Sequence, residues 1–152
     1  CPDPAFYDPA LESAMLVSGD AGGFYFPVAF PISFTSGAAL SATLTYGGTW
    51  YTYPVIAISG PYTGITLSNA TTGGYITLSV PLTSAQTRVI DLTPGAQSIV
   101  DGAGNNRISD MSDGDLLNWY LTPGENIIIA SIAGFDSNTG VTLSYRTRYI
   151  AL

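Results

Sequence analysis

Between Thr49 and Val80 the chain alternates apolar and polar residues in three extended runs divided by two turns. Residues 53 to 59 (YPVIAIS) are apolar on both alternating sets, Ile56 and Ile58 on one side and Val55 and Ala57 on the other. That is the pattern of a central strand covered on both faces. Gly60-Pro61 and Gly64 break the run, after which Ile65 and Leu67 alternate with Thr66 and Ser68, one dry face against one wet face. Beyond a turn over residues 69 to 74, Ile76, Leu78 and Val80 share a side opposite Thr77 and Ser79. The three runs together predict an antiparallel meander.

The same period of two recurs along the rest of the chain. The opening CPDPAFYDPAL carries prolines at 2, 4 and 9, which remove backbone donors and fix φ, so residues 1 to 9 are expected to be an extended arm. Asp8-Pro9 offers start chemistry for a short helical turn through Met15, a segment marginal on its own. From Phe24 to Phe34 a phenylalanine-rich parity alternates with prolines, predicting an edge strand or bent arm. Leu40, Ala42, Leu44 and Tyr46 oppose Ser41, Thr43 and Thr45 in another half-buried strand. Arg88–Leu92, a Thr-Pro-Gly turn at 93 to 95 and Gln97–Val100 follow, then a loop over 101 to 115. LLNWYL (116 to 121), a second Thr-Pro-Gly turn and NIIIASIA (126 to 133) read as a hairpin with Trp119 and Ile128 on its inner face. In the last strand Val141, Leu143, Tyr145, Thr147 and Tyr149 share a parity, which sends Arg146 and Arg148 to solvent.

About ten strands at spacings of roughly 8 to 12 residues, without a convincing helix, indicate an all-β fold: an antiparallel two-sheet β-sandwich or jelly roll. With 152 residues the chain suits one domain, expected over 13–152 behind an arm or linker at 1–12.

Composition narrows the function classes. Hydrophobic residues make up 46% and charged residues 10%, which excludes a disordered chain, and no apolar run approaches the roughly 20 residues of a bilayer span. Four arginines and 11 acidic residues, with no lysine or histidine, give a net charge of -7. Such a surface disfavours nucleic acid, whose phosphates need clustered cations. Cys1 is the sole cysteine, so no internal disulfide can form. A leading cysteine could carry the lipid of a bacterial lipoprotein, but a cut between domains needs fewer assumptions.

Without histidine and lysine the usual general base, Schiff-base amine and imidazole ligand are missing, and no cofactor is expected. A carboxylate pair drawn from Asp101, Asp110, Asp113, Asp115 and Glu125 is the remaining glycosidase chemistry, against the ordinary use of Asp to bond loop backbone. The same loop offers oxygen ligands for calcium, with Asp110, Asp113 and Asp115 as metal candidates, but lacks the one-three-five spacing of a helix-loop-helix site. Among Trp50, Tyr51, Tyr53, Tyr62, Trp119 and Tyr120, the binding candidates are Trp50, Tyr51 and Tyr120, whose ring faces suit a sugar platform. Core packing and subunit contacts use the same residues. Asn69-Ala70-Thr71 fits the N-glycosylation pattern.

The ordered motifs CPDPAFYDP, YGGTWYTYPVIAISGP, ITLSNATTGGYITL, VIDLTPG, LLNWYLTPGENIIIA and VTLSYRTRY resemble the C-terminal domain of the distal tail proteins of long-tailed, non-contractile bacteriophages, over nearly the whole chain. The resemblance implies a galectin-like sandwich on the outside of a hexameric ring at the tail tip, with residues 1 to 9 continuing from a ring-forming N-terminal domain. It implies a structural, non-enzymatic role in the virion, with other tail proteins as partners, a homo-hexameric full-length protein and a monomeric fragment. Galectins hold galactosides through a histidine-containing motif, which this chain cannot supply. Sugar binding therefore does not travel with the fold. The competing class is a carbohydrate-binding module for host-surface glycan; it should show exposed coplanar aromatics in a groove, where a scaffold should show an apolar contact patch.

Overall fold

The computed structural model describes residues 39–150 in full and, before them, the backbone pairing of Ala5–Ser18, Phe24–Tyr25 and Ala29–Phe30. Its strands are β1 (Ala5–Ser18), β2 (Phe24–Tyr25), β3 (Ala29–Phe30), β4 (Ala39–Tyr46), β5 (Val55–Ser59), β6 (Gly64–Asn69), β7 (Gly74–Leu78), β8 (Thr87–Asp91), β9 (Ser98–Asp101), β10 (Met111–Gly114), β11 (Gly124–Ala133) and β12 (Gly140–Ile150). A 3-10 turn over Ile108–Asp110 leads into β10. Two five-stranded sheets, ordered β1-β12-β5-β8-β9 and β10-β7-β6-β11-β4, enclose one core, and β2 pairs with β3 separately. Every strand pair is antiparallel, as the alternation predicts.

The alternation decides which side chains meet. Leu40, Leu44 and Tyr46 from β4, Ile65 and Leu67 from β6, and Ile76 and Leu78 from β7 project inward. They face Ile56, Ile58, Ile90, Ile99, Val141 and Leu143 of the other sheet. On the outward side Thr66 and Thr77 join their hydroxyls at 3.0 Å across β6 and β7. Removing that many apolar side chains from water is the main source of stability.

The expected meander is divided. β6 and β7 pair as read, but β5 belongs to the opposite sheet, and residues 60 to 63 carry the chain across. The crossing is tight: the Gly60 N–H donates to the Gln86 carbonyl at 3.0 Å, and a Cβ at Gly60 would run into the Thr83 carbonyl oxygen. Local alternation cannot distinguish a turn that pairs two strands from one that changes sheet. β5 is central in its sheet, yet it is covered on one side only, with Ile56 and Ile58 buried and Ala57 exposed. Val80 lies beyond the end of β7 and is exposed.

The expected hairpin of 116 to 121 with 126 to 133 does not form. β11 pairs with β4 and β6, whereas 116 to 121 runs as irregular chain. Trp119 and Ile128 are nonetheless buried, and the Trp119 indole N–H donates to the Leu67 carbonyl at 3.2 Å. Asn69 Nδ2 donates to the Tyr120 carbonyl at 2.8 Å and Asn126 Nδ2 to the Thr122 carbonyl at 2.8 Å, so two buried amides replace ladder bonds. An irregular segment can be buried only when its backbone polar groups are satisfied in this way.

Three more expectations change. The loop over 101 to 115 contains the 3-10 turn and β10, which extends the second sheet by pairing with β7. The helical turn considered from Asp8 to Met15 is instead part of β1, paired with β12. Of the run from Phe24 to Phe34, only β2 and β3 are described, and the remainder of that expectation lies outside the described residues. Finally, Arg146 is exposed as expected, but Arg148 is 4% exposed and Tyr149 is turned out. The segment after β4 folds over the end of β12: the N–H groups of Thr49 and Trp50 donate to the Arg148 carbonyl at 3.0 and 3.2 Å. Parity assigns a face but not what lies on it.

Candidate functional site

The acidic residues do not converge. Asp110 ends the 3-10 turn and reaches inward, where its Oδ2 accepts from Arg88 Nε at 2.6 Å, both side chains buried. Arg88 shares the inward parity of Ile90 on β8, a signal visible in the sequence and easily missed. Burial pushes the neighbouring Tyr62 hydroxyl up to about 12, with the Arg88 charge opposing and the Asp110 charge adding to that shift. Asp113 accepts from the Tyr75 hydroxyl at 3.2 Å, and its charge raises the Tyr75 pKa. Asp115 accepts from the Leu117 N–H at 2.7 Å and from the Asn118 amide. Asp101 organises its own turn, accepting from the N–H groups of Ala103 and Asn105 at 3.0 Å and from Arg107. The Asn105 side chain and backbone, aided by Arg107 and Ala103, hold its carboxyl well below the usual range. Glu125 stands apart and exposed on β11. Among the described residues no group of three or more such side chains is placed to hold a metal ion. Each of the four aspartates already has a backbone or side-chain task, which is the ordinary use of Asp in loops.

The aromatic candidates separate into two groups. Tyr62 and Trp119 are core residues, 2% and 0% exposed. Asn69 is likewise fully buried, its amide committed to Tyr120 and Asn126 and its oxygen to the Thr71 N–H, so it is a structural asparagine and not a glycan acceptor. Trp50, Tyr51, Tyr53 and Tyr120, by contrast, gather where residues 50 to 54 run beside 119 to 122, bridged at Thr52 and Leu121. Tyr51 is their centre. Its ring lies 4.6 Å from Trp50, 5.7 Å from Tyr53 and 5.6 Å from Tyr120, and Tyr53 lies 6.0 Å from Tyr120. The Arg148 guanidinium sits 5.9 Å from the Tyr51 ring centre and donates to the Tyr51 carbonyl at 3.1 Å. Cation–π attraction and the backbone bond thus fix the ring over the strand.

The interplanar angles, 32°, 55°, 56° and 87°, decide what this cluster offers. A pyranose stacks on a flat exposed face, and four half-buried rings leaning on one another form a corrugated surface instead. Tyr51 and Tyr53 also share the outward parity of Val55 and Ala57, so the rings continue into the open face of the β5 sheet.

A family model described as the siphovirus-type tail component, C-terminal domain, of the SPP1 Dit kind, matches residues 47–149. The chain belongs to that family. It is a structural component of a phage tail, and the matched span runs from the turn after β4, through the aromatic cluster, to the end of β12. Among solved structures, this tail component is similar to SPP1 Dit (gp 19.1), described as a paradigm of the hub adsorption apparatus in phages that infect Gram-positive bacteria. The identity is 13% and the TM-score 0.62, over 97% of this chain and 50% of that one, which establishes the shared fold. The tail component therefore spans half the length of that structure. No curated protein matches it.

Proposed function

We propose that this tail component is the peripheral sandwich domain of a distal tail protein, scaffolding the tail tip and joining the tail tube to the host-attachment apparatus without catalysing a reaction. The observation that carries this reading is the family match across residues 47–149, joined by a fold shared with a hub protein. The separate engagement of Asp101, Asp110, Asp113 and Asp115 supports a non-catalytic role, because each is already held by an arginine, a tyrosine hydroxyl or backbone N–H groups. In this reading the full-length protein is a closed homo-hexamer whose ring contacts lie in another domain, and the isolated chain is a monomer kept apart by its charge of -7. Gold-labelled antibody against the chain should decorate the tail tip in electron micrographs of the virion; decoration of the shaft or capsid alone contradicts the proposal.

One observation favours a second reading. The Trp50, Tyr51 and Tyr120 cluster is the place for a carbohydrate site if the domain is a glycan-binding module. Micromolar binding of a defined glycan on an array, lost in Trp50→Ala or Tyr120→Ala, would establish it. The tilt of the rings supports the scaffold instead, for which the array stays blank.

A further inference from the structure

The outward row of the β5 sheet starts at Tyr51 and Tyr53, continues through Val55 and Ala57, and meets Val89 of β8, whose Cα pairs with Ala57. Ala57 is exposed and Val55 and Val89 are half-buried, so an apolar row runs down the middle of a sheet face. The seven extended residues from Tyr51 to Ala57 cover about 23 Å, longer than a single sugar and of the size of a protein contact. Arg146 lies beside this row, its carbonyl accepting from the Thr52 hydroxyl at 2.9 Å. Arg88 is paired with Asp110 and Arg107 with Asp101, whereas Arg146 is exposed and has no carboxylate partner among the described residues. An exposed arginine with no carboxylate partner among the described residues, next to an apolar row, suits a carboxylate on a docking partner. Interface cores concentrate Tyr, Trp and Arg, the residue types gathered here as Trp50, Tyr51, Tyr53, Tyr120 and Arg146.

We propose that this face docks a segment of another tail protein that presents apolar side chains to the Tyr53–Ala57 row and a carboxylate to Arg146. The proposal rests on the tail-scaffold reading and names the surface it uses. Tilted rings accept interdigitating side chains, which a flat sugar face cannot provide. A partner strand would also lie along an apolar stripe bounded by hydroxyls such as Ser144 of β12, which can close the rim with hydrogen bonds.

The test is photocrosslinking in intact virions with Ala57→p-benzoylphenylalanine, a position exposed enough to leave the fold intact. Thr66→p-benzoylphenylalanine, outward on the other sheet, is the control. The expected product is a covalent adduct with a different tail protein, mapped by mass spectrometry to a peptide containing Asp or Glu, at least about tenfold above the control. Arg146→Glu in the same virions should lower that yield about tenfold, the effect of losing one good contact. Equal yields at both positions, adducts confined to this chain, or a yield indifferent to Arg146→Glu would overturn the proposal. So would a blank crosslink combined with glycan binding that Trp50→Ala removes. Tip decoration with no adduct defeats the docking surface alone, whereas absence from the tip defeats the scaffold reading itself.

Discussion

Two arginines are buried in this domain, and they are buried differently. Arg88 lies on the inner face of β8, in the seam between the sheets, where a carboxylate from the turn before β10 meets it at 2.6 Å. Arg148 lies on the outward side near the end of β12, covered by the Thr49–Tyr53 segment, with a backbone carbonyl at 3.1 Å and the Tyr51 ring above it. The first arrangement ties β8 of one sheet to the turn before the edge strand β10 of the other, so its loss leaves a charge in the core. The second shapes the surface, because it fixes the aromatic cover that continues into the open face of β5. One corner serves stability and the other the contact surface.

The comparison is most exposed to Asp110→Ala. Removing one partner of a buried pair strands the other charge, and urea unfolding should register a loss of about 3 to 5 kcal/mol. A loss below about 1 kcal/mol would mean that the corner does not tie the sheets. Next in size is an alkaline transition in the same corner. The Tyr62 hydroxyl titrates at about 12 in the folded protein, against 10.0 for an unperturbed tyrosine, so unfolded chains lose this proton first. The stability it contributes is complete below pH 10 and is lost as pH rises towards 12, amounting to about 2 to 3 kcal/mol. Tyr62→Phe should abolish that part of the pH dependence, which chemical denaturation at pH 9 and pH 11.5 can resolve.

On the outward side the effects should be smaller. Tyr51→Ala removes a half-buried ring and its cation–π contact and should cost about 2 kcal/mol. A cost equal to that of Asp110→Ala would erase the distinction between the two regions. Smallest of all is Arg107→Ala, which breaks the exposed pair with Asp101 and should leave the unfolding midpoint unchanged within error.

Much of this fold was legible because period-two alternation is a direct physical consequence of a strand with one dry face. It placed Leu40, Leu44, Ile65, Leu67, Ile76 and Leu78 correctly, and it put Trp119 and Ile128 inside although their supposed hairpin does not exist. Alternation has no term for which strands become neighbours. The change of sheet between β5 and β6, and the preference of β11 for β4 and β6, depend on contacts distant in sequence. The site was less legible for the same reason. Trp50, Tyr51 and Tyr120 were recognisable as candidates, but only the bridge of Thr52 to Leu121 brings Tyr120 to the others. Parity sends Arg148 to solvent, and nothing local announces that a loop about 100 residues earlier in the chain will cover it. Asp110 reads locally as one loop carboxylate among several, and only the fold pairs it with Arg88.

The proposed role of this domain is to scaffold the tail tip through a protein contact on its β5 face. A cryo-electron microscopy reconstruction of the virion's tail tip tests it most directly. The account predicts sandwich density repeated around the tail axis, outside the ring, with the Tyr53–Ala57 row and Arg146 against density from another tail protein. Sandwich density whose β5 face is open to solvent in every copy, or a tail tip without the domain, would contradict it.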